Sequence, residues 1–225
     1  SILLALSLPQ VDDVWLQDFS QGLFDCCAPY HVHLIGGDTT QSPHLTISVT
    51  ALGWIPTAQG ITRSGAQVGD YVVVSGQVGD AAFALQHLGH PLQKRLDYPS
   101  PRCELGQSLR GLASSMIDIS DGLAQDLGHI LKASGVGATL SLDQLPLDPA
   151  LQALAPEQRW QYALAGGDDY ELCFTISPDN YAHLCQLNPT TPFTIIGSIQ
   201  AEFGLRLEYQ GQPQSLPLSG YQHFA

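Results

Sequence analysis

The stretch Met116-Ile-Asp-Ile-Ser-Asp-Gly-Leu-Ala-Gln-Asp-Leu-Gly-His-Ile-Leu131 decides how the chain is read. Residues 116–119 form a very short apolar run that reads as a strand. Ser120-Asp121-Gly122 breaks it. Leu123, Leu127, Ile130 and Leu131 then recur at helical spacing, and Gly135 closes the helix.

Working outward, the same alternation continues on both sides. Upstream, residues 2–8 read as a strand ended by Pro9. Asp12 or Asp13 caps a helix through Cys27, with Leu16, Phe19, Leu23 and Cys27 on one face. Residues 31–35 read as a strand that runs into Gly36-Gly37-Asp38-Thr39-Thr40, and 45–54 as another. The glycine-rich, polar stretch 56–69 marks a domain boundary. Beyond it come a strand at 71–75, a helix at 80–88, a loop at 91–101 and a helix from Pro101 to about Ala113.

Downstream of the opening stretch, strands are expected at 138–142, 170–176, 193–199 and 205–209. Helices are expected at 157–164 and 178–187, and a turn at Gly211. Strands and helices mix throughout, so the fold class is α/β with mixed, α+β-like sheets.

The bulk numbers set bounds. Of 225 residues, 44% are hydrophobic and 13% charged, which suits a chain with a buried core. A formal charge of −13 repels nucleic acid and anionic membranes, so neither is an expected partner. It would repel a nucleotide too, unless cations stand between protein and phosphate. No apolar run reaches the ~20 residues of a membrane span. The five cysteines lack C-x-x-C or zinc spacing, and an odd count favours a reducing cytoplasm. Cys27, Cys173 and Cys185 sit among apolar neighbours and read as small hydrophobes. Residue 1 is Ser, and a strand follows at once, so further residues N-terminal to Ser1 are expected.

Three acidic clusters share one layout, beside glycine or serine at the edge of an apolar element: Gly36 to Thr40, Asp118 to Gly122 and Gly166-Gly167-Asp168-Asp169-Tyr170. Glycine lets a ligand approach the backbone, and carboxylates are hard oxygen ligands for Mg²⁺. The helix start after Ser120 is expected to offer free N–H groups to an anion. Taken singly, each cluster also reads as a helix cap or a glycine turn. A P-loop and a dinucleotide fingerprint are both absent from the sequence. Composition and spacing stop at a metal and phosphate site.

The order of the motifs goes further. Leu34-Ile-Gly-Gly-Asp-Thr-Thr40, Thr62-Arg-Ser-Gly-Ala66 followed by Gly69-Asp70, Ile117 to Leu123 with Asp126-Leu-Gly-His129, Gly166-Gly-Asp-Asp-Tyr-Glu-Leu172 and the end Gly220-Tyr-Gln-His-Phe224 closely resemble the thiamine-monophosphate kinases. That family lies in the superfamily of aminoimidazole ribonucleotide synthetase. The resemblance implies the rear of an N-terminal α/β domain at residues 1–62 and a C-terminal α/β domain at 63–225. It implies ATP bound between the two domains and a homodimer formed through N-terminal strands. It also implies ATP-dependent phosphorylation of thiamine monophosphate to thiamine diphosphate, by direct in-line transfer with Mg²⁺.

By the same resemblance, Asp38, Asp118 and Asp121 would hold Mg²⁺, and Gly37, Asp38, Arg63 and Ser120 would contact ATP. Asp168 would contact the thiamine substrate and Tyr221 would pack on it. No residue is expected to act as a general acid or base, because the acceptor phosphate is already ionised. His129 reads as a helix-face residue. The family's earlier metal-binding aspartates precede the stretch that these residues match, so the 225 residues alone are expected to be inactive. Two other readings stay open: another ATP-using superfamily member with a purine precursor or selenide as acceptor, and a non-catalytic nucleotide-binding or dimerisation module.

Overall fold

The computed structural model describes residues 1–217. They divide between Thr57 and Ala58 into two compact units.

The first unit is built on one βαβ crossover plus a hairpin partner. β1 (Ile2–Leu8) leads into α1 (Asp13–Cys27), then β2 (Leu34–Gln41) and β3 (Thr46–Ala51). β1 lies parallel to β2 and antiparallel to β3, giving the order β2-β1-β3. A parallel neighbour needs a long connection, and α1 supplies it. The Asp12 carboxylate caps α1 by accepting the Val14 and Trp15 N–H groups, each at 3.0 Å. The apolar face of α1 is only half-buried at Leu16, Phe19, Leu23 and Cys27, while Ile2, Leu6 and Leu8 of β1 are buried. Every residue of β2 and β3 is exposed.

One expectation is corrected here. The Gly36 to Thr40 cluster does not follow a strand that ends at residue 35. It is the middle of β2, and all of it pairs with β1. Gly37 explains why glycine stands inside a strand: a Cβ there would lie 1.8 Å from the Leu4 carbonyl oxygen.

The second unit carries a seven-stranded mixed sheet. In chain order its elements are β4 (Tyr71–Ser75), α2 (Asp80–Gln86), α3 (Gln93–Asp97), α4 (Cys103–Ser108), β5 (Ala113–Asp118), α5 (Leu123–Ser134) and β6 (Gly137–Ser141). They continue as α6 (Pro149–Gln152), α7 (Pro156–Ala165), β7 (Leu172–Ile176), α8 (Pro178–Leu187), β8 (Phe193–Gln200), β9 (Gly204–Tyr209) and β10 (Gln212–Gln214). The strand order is β10-β9-β6-β8-β4-β7-β5, antiparallel except for β6 beside β9.

Both faces of this sheet are covered, which is why β4 is buried at four successive residues, Val72 to Ser75. Val72, Val74 and Cys173 face one core with Leu123, Leu127, Ile130 and Leu131 of α5 and Trp160 and Leu164 of α7. Val73, Phe174 and Ile176 face the other, with Leu105 of α4, the adjoining Leu109, and Leu184 of α8. Gly135 caps α5 in the left-handed conformation, as the sequence indicates.

Three expectations give way. The helix expected from Pro101 to about Ala113 is only the six residues of α4. Ala113 instead opens β5, where the Ser114 and Ser115 hydroxyls each lie 2.6 Å from that of Thr175. Pairing with β7 outweighs local helix preference there. The expected loop at 91–101 contains α3. Cys173 is buried and burial pushes its thiol up to about 12, but Cys185 is exposed rather than packed inside. Among the described residues, no helix is long and apolar enough to cross a membrane.

Candidate active site

The second and third acidic clusters meet backbone to backbone. The segment after α7 runs beside the end of β5. The Asp168 N–H donates to the Ser120 carbonyl at 3.0 Å and the Tyr170 N–H to that of Ile119 at 2.8 Å. The Ile119 N–H donates back to the Glu171 carbonyl at 2.8 Å. Gly167 permits the approach, since a Cβ there would lie 2.4 Å from the Ser120 carbonyl oxygen.

This crossing sorts the acids of Gly166 to Leu172 into two layers. Asp168 and Tyr170 take left-handed backbone, with φ of 66° and 50°, and are exposed. Asp169 and Glu171 alternate with them and are buried. The outward layer joins the first loop. Tyr170 donates to Asp168 Oδ1 at 3.2 Å, and burial followed by the charges of Asp168, Asp118 and Asp121 raises its phenol above the usual range. Asp118, Asp121 and Asp168 therefore share one electrostatic neighbourhood. Asp121 also accepts from Gln125 Nε2 at 3.2 Å.

The inward layer ties this surface to the sheet. Glu171 is fully buried and accepts from Ser75, Arg95 and Arg102. The Asp169 carboxylate accepts the Gly79 N–H at 2.7 Å at the start of α2, and burial pushes it up to about 7. Asp80, equally buried, has no hydrogen-bond partner on either oxygen among the described residues, although Arg95 Nε lies 3.5 Å away. Burial raises it to about 6.

The Asp118 to Gly122 loop narrows an expectation. The three N–H groups just before α5 are not open to an anion. Asp126 Oδ2, from the first turn of α5, accepts those of Ser120, Asp121 and Gly122 at 3.0, 3.1 and 3.2 Å. Ser120 is thus left with its hydroxyl as the donor for a ligand.

The other sequence candidates belong to other segments. Arg63 is exposed on a segment beside β5, where the Met116 N–H donates to the Thr62 carbonyl at 2.9 Å. In the first unit, Gly37 and Asp38 are exposed on β2, and Asp38 Oδ1 accepts the Thr39 N–H at 2.9 Å. His129 is an exposed face of α5. Tyr221 lies outside the described residues. Sequence reasoning passed over Asp126, Asp169, Glu171, Arg95 and Arg102. Asp126, Asp169 and Glu171 stand inside the quoted motifs, and only that position hinted at them. Arg95 lies in the expected loop and Arg102 at the start of the expected helix, and neither carries a signal.

The family model "AIR synthase related protein, N-terminal domain" matches residues 1–55, and its C-terminal counterpart matches 67–210. Thiamine-monophosphate kinase of Escherichia coli K12 is 46% identical over 237 residues, covering 99% of this chain and 73% of the relative. The chain belongs to the thiamine-monophosphate kinase family. Among solved structures, the thiamine-monophosphate kinase from Stenotrophomonas maltophilia K279a matches with a TM-score of 0.84 and 39% identity, over 95% of this chain and 72% of that one. The structure described as AaThiL complexed with AMPPCP and TMP matches with a TM-score of 0.80 and 27% identity, over 99% and 73%.

The donors of the outward layer fit the metal that the family resemblance implies. Mg²⁺ takes one or two carboxylates, keeps water and shares substrate phosphate oxygens, rather than filling an all-protein cage. Among the described residues, no three His, Cys, Asp or Glu side chains form a ligand set by themselves. Asp118 and Asp121, accessible and close in chain, are carboxylates of the kind such a partial set draws on.

Proposed function

We propose that this thiamine-monophosphate kinase family member transfers the γ-phosphoryl group of ATP to thiamine monophosphate, giving thiamine diphosphate and ADP. One observation supports it most: backbone pairing gathers Asp118, Ser120, Asp121 and Asp168 on one surface, in a chain 46% identical to a thiamine-monophosphate kinase.

The chemistry follows from charge. Donor and acceptor are both anionic, and the chain carries −13. Several Mg²⁺ ions, held by Asp38 on the first unit and by Asp118 and Asp121 on the second, would neutralise the phosphates and stabilise charge in an in-line displacement. The protein's own groups position and exclude. Ser120 Oγ donates to an ATP phosphate oxygen, Gly37 admits the nucleotide close to the backbone, and Arg63 offers a planar fork of donors. Asp168 contacts the cationic thiamine. The attacking oxygen of the acceptor is already ionised at neutral pH, so no general base is assigned and no phospho-enzyme forms.

The reading extends to residues 1–62 as the remainder of the nucleotide- and metal-binding domain and 63–225 as the C-terminal domain. It extends also to a cytoplasmic homodimer. The exposed strands β2 and β3, with Ile47 and Val49 open to solvent, support a partner on the first unit.

The test incubates the intact enzyme with ATP, Mg²⁺ and thiamine monophosphate and follows thiamine diphosphate. Turnover of a purine precursor or selenide in its place would replace the acceptor. Nucleotide binding with no acceptor turned over would favour a non-catalytic module.

A further inference from the structure

We infer that Asp126 is the positioning residue of the acidic loop, acting as a built-in anion. Three consecutive peptides, Ser120, Asp121 and Gly122, turn their N–H groups onto one oxygen of this carboxylate. Such a concave run of amides is a nest of the kind that elsewhere closes on a phosphate. Here the protein fills it. The occupant is 2% exposed, and a buried carboxylate is tolerable only when its oxygens are hydrogen-bonded.

The geometry explains the spacing from Asp121 to Asp126. Helical side chains lean toward the N-terminus, so an acid in the first turn of α5 reaches back under the loop that precedes it. The Asp126 N–H also donates to the Gly122 carbonyl at 2.9 Å, closing that first turn. Backbone of the loop is held from beneath, while Asp118 is exposed and Ser120 and Asp121 are partly so. The loop is therefore set in shape before any ligand arrives. Ligand phosphate meets the side chains of the loop, not these three amides.

This inference rests on the proposed function for its kinetic consequence but not for its structural one. The deciding experiment is amide hydrogen exchange across residues 117–123 in the ligand-free protein, wild type against Asp126→Ala. Hydrogen bonds to a charged group contribute roughly 1.5–3 kcal/mol, so exchange at Ser120 to Gly122 is expected to rise by about 10- to 100-fold. Formate at tens of millimolar, refilling the nest, is expected to restore part of the protection. In the intact enzyme the same variant raises the KM for ATP and lowers kcat, with the acceptor KM nearly unchanged.

Wild-type exchange in this segment would overturn the assignment. So would a lowered Tm accompanied by wild-type kcat and KM, which marks a merely structural residue. Should the alanine variant fail to fold, Asp126→Asn decides. It keeps one acceptor oxygen and loses the charge, so exchange there should rise by roughly threefold to tenfold, and no rise sinks the idea. A wrong acceptor would appear separately, as wild-type enzyme that leaves thiamine monophosphate untouched.

Discussion

Gly-Gly-Asp occurs twice in this chain, and the two copies fold differently. At Gly36 to Asp38 the backbone runs straight through β2, and glycine lets a parallel neighbour come close. Asp38 is simply an exposed residue on an exposed strand. At Gly166 to Asp168 the chain leaves α7, crosses the Ser120 carbonyl and turns left-handed twice. There successive residues, from Asp168 to Glu171, lie alternately exposed and buried. The difference teaches that one tripeptide can place a carboxylate by strand geometry or by backbone inversion. Only the second couples the exposed acid to a buried one, because Asp168 is followed by Asp169 and Glu171 inside the protein.

The sharpest way to break this comparison is to remove the buried partner. Glu171→Gln removes the buried carboxylate that Arg95 and Arg102 share, and stability should fall by about 3–5 kcal/mol in urea titration. Asp38→Asn, its counterpart on β2, should change stability by less than about 0.5 kcal/mol. Equal losses would mean that the two segments are not different in kind.

Next come the exposed acids. Asp118→Asn or Asp121→Asn in the intact enzyme should cost about 10²-fold or more in kcat/KM, with the fold intact by circular dichroism. Near wild-type turnover in both would remove these carboxylates from the mechanism. A smaller effect tests the glycines. Gly37→Ala drives a methyl into the Leu4 carbonyl, so Tm should drop with a loss of about 1–3 kcal/mol. Gly22→Ala, which meets nothing within 4 Å, should not destabilise.

The smallest expected effect concerns pH. Asp169 and Asp80 are raised by burial to about 7 and about 6, against 3.8 when unfolded. Between about pH 4 and 7 the folded chain therefore holds protons that the unfolded chain has released. Their contribution is complete below about pH 4 and fades as pH rises through the folded values. Asp80 faces Arg95, which lowers it, and Asp148 and Glu171, which raise it further. Asp80→Asn should flatten the wild-type stability profile between pH 4 and 6 by on the order of 1–3 kcal/mol. Parallel profiles would show that Asp80 keeps its charge throughout.

Much of the fold was legible because periodicity is a local signal. The strand 2–8, the helix 178–187 and the apolar stripe of α5 need only their own residues to be read. β5 was read too short because Ala113, Ser114 and Ser115 carry no apolar alternation, and their strand state depends on pairing with β7. Asp118, Ser120, Asp121 and Asp168 were legible as acidic turns, one by one. Their meeting depends on hydrogen bonds between residues about 50 apart in the chain, which no local pattern encodes.

The sequence by itself determined the alternation of strands and helices, the caps at Asp12 and Gly135, and the motif order that places the chain in its family. Tertiary structure alone decided which acids face water and which are buried. It also decided that Asp126, rather than a ligand, fills the amides after Ile119. The physical reason is that a carboxylate's role is set by what surrounds it. Burial, partner N–H groups and neighbouring charge arrive from segments far along the chain, and they exist only once those segments have packed.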